Sequence, residues 1–73
     1  MINNKLFRKT VEESKMKVER ISQLTGIPRH KIYDLMEEGD TINAAEIQAL
    51  SMVLNMSNPL RRNIFFNRNL PLD

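Results

Sequence analysis

The sequence predicts an all-α protein: five short helices around one core. Three observations carry this. Apolar residues recur at three- and four-residue spacing along the chain. Helix-ending and helix-starting residues, Gly26, Pro28, Asn43, Asn55 and Pro59, fall between those stretches. No alternating strand pattern, repeat or low-complexity segment competes.

Each element follows in order. Leu6, Phe7, Thr10, Val11 and Ser14 share one face of a first helix, with Glu12 and Glu13 pointing away. Val18, Ile21, Ser22 and Thr25 form a second helix, stopped by Gly26, which takes positive φ at little cost. Pro28 stands at or beside the start of a third helix, where a missing N–H is tolerated. Ile32 and Leu35 face inward there, and Glu38-Gly39-Asp40 marks its end. Asn43 caps a fourth helix, and Glu46 three residues on supplies the reciprocal half of a capping box. Ile47, Leu50, Val53 and Leu54 form its apolar stripe, and Asn55 suits a left-handed C-terminal position. Asn58 as cap and Pro59 as first helical residue open a fifth helix, whose inner face is Leu60, Ile64 and Phe65. The domain is expected over 1–67, with 68–73 a frayed tail. The expected core is Leu6, Ile21, Ile27, Ile32, Leu35, Ile47, Leu50, Leu54 and Ile64.

Size and composition narrow the function. A chain of 73 residues that is 41% hydrophobic holds one small core. It contains no cysteine, and no apolar run approaches the ~20 residues of a membrane span. With one histidine, no thiol and no glycine-rich phosphate loop, it offers no nucleophile–base pair and no cofactor cradle. No catalytic residue, metal ligand or cofactor is expected. His30 has no second ligand at helical spacing and reads as a surface polar group.

The net charge of +2 is unevenly placed. Residues 1–31 carry eight Lys and Arg against three Glu; residues 32–57 carry five acids and no Lys or Arg; residues 58–73 carry three Arg against one Asp. A charge run is commonly just a solvated face. Here the acids Asp34, Glu37, Glu38 and Asp40 fall on and after the third helix.

The stretch "RISQLTGIPRHKIYDL" resembles the helix-turn-helix of the Cro and lambda-repressor type, through Ile21, Ser22, Gly26, Ile27, Ile32 and Leu35. The likeness continues through "AAEIQALSMVLNMS" and covers roughly residues 5–66. It implies that helices two and three form a helix-turn-helix, with the third helix entering the DNA major groove. Arg29, His30 and Lys31 then lie at the tip, able to touch bases or phosphate.

Two departures weaken a DNA role. Members of that family often begin the second helix with a phosphate-binding Gln, where this chain has Val18; they typically follow the third helix with a turn and a basic residue. This chain has Met36, Glu37, Glu38, Gly39 and Asp40. Phosphate contacts supply much of DNA affinity, so acids there should weaken it. A face of Val18 and Met36 among Asp34, Glu37 and Glu38 suits a basic protein partner instead; after a small helix rotation Val18 and Met36 read equally as core residues.

In size, in this motif and in lacking a second domain, the chain resembles the small modulator-of-repression antirepressors of temperate phages in Gram-positive hosts. That resemblance implies a cytoplasmic regulator of a lytic–lysogenic switch. It would bind the N-terminal, helix-turn-helix domain of a partner repressor and alter its DNA occupancy, with weak or repressor-assisted DNA contact. The alternatives are a Cro-like protein that binds operator DNA itself and, less favoured, an antitoxin. The sequence leaves open the partner's identity, the operator, dimerisation, and antirepressor against co-repressor action.

Overall fold

A computed structural model describes residues 2–66. They form α1 (Asn4–Ser14), α2 (Val18–Thr25), α3 (Arg29–Glu37), α4 (Ala44–Val53) and α5 (Asn58–Phe65), with no strand among the described residues. The tail expected at 68–73 lies outside them.

The helix ends follow local chemistry. The Asn3 side chain accepts from the Leu6 N–H at 3.1 Å and caps α1. That helix ends at Lys15, whose φ of 60° is left-handed without a glycine. Gly26 closes α2 with φ 78°, donating its N–H to Ser22 O at 2.8 Å. The three-residue connection to α3 is stitched by side chains: Ser22 Oγ donates to Ile27 O at 2.6 Å, and Thr25 Oγ1 accepts from the Ile27 N–H at 3.1 Å. The capping box on α4 is complete, with Asn43 Oδ1 accepting from the Glu46 N–H and Glu46 Oε1 from the Asn43 N–H. Asn55 follows with φ 53°.

One boundary moves. Ser57, not Asn58, caps α5: its hydroxyl accepts from the Leu60 N–H at 3.2 Å, and Asn58 becomes the first helical residue. Serine and asparagine are comparable caps, and the first turn tolerates Pro59 in either register. Local propensity does not choose between them.

The helices pack α1 on α3 and α5, and α2 on α3 and α4. Phe7, Ile21, Ile32, Leu35, Leu50 and Ile64 are fully buried at the centre. Ile2, Val11, Ile27, Leu54 and Phe65 complete the core. Two expected core residues, Leu6 and Ile47, are only partly buried at its edge. Leu6 and Phe7 compete for the inward position on α1, and Phe7 takes it, its ring tilted against Phe65 with centroids 6.1 Å apart. Ser51 is the one buried polar residue among those described, and its hydroxyl donates to Ile47 O at 2.6 Å. A buried hydroxyl satisfied within its own helix carries little penalty.

Gly26 yields a clean test of the turn. An added β-carbon would meet nothing within 4 Å beyond its chain neighbours, so any penalty is local to the left-handed backbone. Gly26→Val is expected to cost about 1–3 kcal/mol and Gly26→Ala less, read as urea midpoints. Equal midpoints for all three proteins would refute the positive φ.

Candidate functional site

α3 divides its residues between two faces. Ile32 and Leu35 go inward, while His30, Tyr33, Asp34 and Glu37, at spacings of three, four and seven, stand exposed on the outside. Arg29 and Glu38 are exposed at its two ends. Ser22, Pro28, Arg29, His30 and Tyr33 line an open hollow where α2 meets the start of α3.

The cations expected at the tip are already engaged. Arg29 Nη1 lies 3.2 Å from Glu19 Oε2, on a well-exposed stretch of surface. Lys31 Nζ lies 3.1 Å from Glu46 Oε1, and this pair is more sheltered, its side chains 27% and 20% exposed. The first pair contributes little energy in water. Both nonetheless place a carboxylate beside a cation of the α3 tip. Of the tip residues, His30 alone lacks an ion-pair partner among the described residues.

The acids divide too. Glu37 pairs with Arg8 of α1. Asp34 and Glu38 have no cationic partner among the described residues. Asp34 also shapes the end of α3: its carbonyl accepts from Glu38 N–H at 3.0 Å and Gly39 N–H at 2.7 Å. Its carboxylate lies over Gly39 so closely that a β-carbon there would run into it. The Asn4 side chain holds the same turn from α1, its amide nitrogen 2.7 Å from Leu35 O and 2.7 Å from Gly39 O.

Val18 and Met36, for which the sequence left core and partner-facing positions open, take the core side. Both are partly buried and packed against the core, so each presents only part of its side chain. The large exposed hydrophobics nearby are Tyr33, 55% exposed on α3, and Leu24, 49% exposed on α2. Sequence reasoning passed over Tyr33, although it follows Ile32 directly and so sits about 100° around the helix from that inward residue.

The titration of Glu46 is moved by its surroundings. The hydrogen bond from the Asn43 backbone, and then Lys31, hold its carboxyl below the ordinary value despite some desolvation. A depressed folded-state pKa stabilises the fold above the unfolded pKa, and that contribution disappears as pH falls through the folded one. Glu46→Gln keeps a reciprocal cap but cannot titrate. Its stability should therefore decline less steeply than wild type on the acid side, as urea midpoints against pH will show. Parallel curves would count against the Glu46 assignment.

Compared with family models, curated proteins and solved structures, the chain matches none. No described helix is long and apolar enough to cross a membrane.

Proposed function

We propose that α2, the Gly26–Pro28 connection and α3 act as a helix-turn-helix whose outer face binds a basic protein surface. The partner is the DNA-binding face of a phage-type repressor, and the consequence is altered repressor occupancy of DNA in a lytic–lysogenic switch. One observation carries the reading: Tyr33 stands exposed next to Asp34, and Asp34 and Glu38 lack cationic partners among the described residues, while Arg29 and Lys31 are held by carboxylates. An aromatic beside free carboxylates complements arginine-rich surfaces and repels phosphate. The positive φ at Gly26 and the Ser22–Ile27 hydrogen bond support the motif assignment.

Roles then follow by position. Asp34, Glu37 and Glu38 steer encounter; Tyr33 is the anchor; Val18 and Met36 contribute their exposed edges. Arg29, His30 and Lys31 provide weak contact to DNA or to the partner.

The test is binding kinetics with the N-terminal, helix-turn-helix domain of a temperate-phage repressor. Replacing Asp34, Glu37 and Glu38 by Asn and Gln should slow association and flatten its salt dependence, since charges at a rim act mainly on encounter. Tyr33→Ala should speed dissociation by about tenfold or more, and Val18→Ala and Met36→Ala by less. The chain alone should bind duplex DNA weakly. Tight, sequence-specific operator binding by the pure protein, in the ~10⁻⁸–10⁻¹¹ M range, would favour the Cro-like reading instead.

A further inference from the structure

A second exposed face has the opposite character. Ala44, Ile47 and Gln48 of α4, with Arg61 and Phe66 at α5, line a cleft of about 210 Å³. Phe66 is 49% exposed beside it, in contrast to buried Phe65. Between Ile47 and Phe66 the sequence has no acid, and Arg61 and Arg62 have no ion-pair partner among the described residues. An apolar floor with an uncompensated cation at its rim calls for an apolar or aromatic side chain beside a carboxylate.

The outer face of α3 has that composition. Tyr33 stands beside Asp34, one turn before Glu37 and Glu38. A rigid chain cannot bring its own α3 face onto its own α4–α5 cleft while both remain packed as they are. We infer that the occupant is a second copy of this chain: the α3 face of one copy docks in the α4–α5 cleft of the next, with Tyr33 against Phe66 and Ile47 and the free carboxylates toward Arg61. The contact is head-to-tail, because the two surfaces differ, so it leaves a free face and a free cleft at the ends of each dimer. Self-association would hide the α3 face, making it a reversible store for a protein whose work is done by that face. The inference rests on the geometry of the two faces, and its test needs no repressor.

Sedimentation velocity of the full chain, over a concentration series at low and high salt, reads the contact. Mean size should rise with concentration and fall with salt, because the pairing is partly ionic. Arg61→Glu reverses the cleft, and the double variant Asp34→Lys, Glu38→Lys reverses the face. Each alone should associate about tenfold or more weakly than wild type. Mixing the two should restore a one-to-one complex, because the first keeps a native face and the second a native cleft. That rescue also shows that both variants are folded. A monomer at every concentration, association unchanged in both variants, or no complex on mixing would each overturn the inference.

Discussion

Leu50→Ala should lower the unfolding free energy by about 2–5 kcal/mol, the usual cost of truncating a buried leucine. Leu50 is fully buried on α4, one of the largest fully buried side chains among the described residues. The loss has two parts: the transfer energy of the removed methyl groups, and the cavity left where the surrounding helices cannot collapse fully. A domain this small has little stability to spare, since total stabilities of ordinary domains are only about 5–15 kcal/mol. With no disulfide available to constrain the unfolded chain, the variant should populate unfolded molecules at room temperature. Gln48→Ala, two positions earlier and exposed, is the control and should change stability by no more than about 0.5 kcal/mol. Urea melts of the three proteins decide the matter. A Leu50→Ala midpoint equal to that of the control would mean the helices do not meet around α4.

What could be read from the sequence was what local chemistry determines. Gly26, Asn43 with Glu46, and Asn55 act over four residues or fewer, and each stands where its side chain or backbone freedom required. Inward positions Ile21, Ile32 and Leu35 on α2 and α3 followed from spacing, although Leu24, as apolar as any of them, is left exposed on α2. The reading failed where two adjacent residues were equally able. Phe7 displaced Leu6 from the centre, and Ser57 took the cap from Asn58. It also failed where tertiary packing sets exposure. Tyr33 is left outside, and spacing did not choose between core and surface for Val18 and Met36, which pack against the core. The ion pairs Arg29–Glu19 and Lys31–Glu46 join residues ten and fifteen apart, and they change the character of the α3 tip without leaving any local signal. The acidic run itself was plain in the sequence; its pairing, with Glu37 engaged and Asp34 and Glu38 without a cationic partner among the described residues, required the fold.

Asn4 shows the same limit most clearly, and it carries the second large expected effect. By sequence it is an unremarked polar residue in the first turn of α1, yet its amide bridges to carbonyls 31 and 35 positions away. Leu35 O belongs to the last turn of α3, where carbonyls have no partner within the helix. Asn4 therefore closes a helix end from another helix. Asn4→Ala removes both donors and leaves two partly buried carbonyls dependent on water, at about 1–3 kcal/mol each, for a loss of about 2–6 kcal/mol. Asn4→Asp separates this role from any local one. A carboxylate in the first turn of α1 would favour that helix through its dipole, so a purely local residue would be neutral or stabilising when replaced by Asp. Against two carbonyl oxygens, however, an ionised Asp offers only acceptors. The substitution should be at least as damaging as alanine at neutral pH and should recover in part when acid protonates the new carboxyl. Hydrogen exchange locates the effect: the amides of Glu38 and Gly39, which donate to Asp34 O, should lose protection in both variants. Because Asp34 and Glu38 project from that same turn, its loosening should also weaken any partner bound on the α3 face, through orientation rather than charge. A stable Asn4→Asp protein with unchanged exchange at Glu38 and Gly39 would show that α3 ends without help from α1.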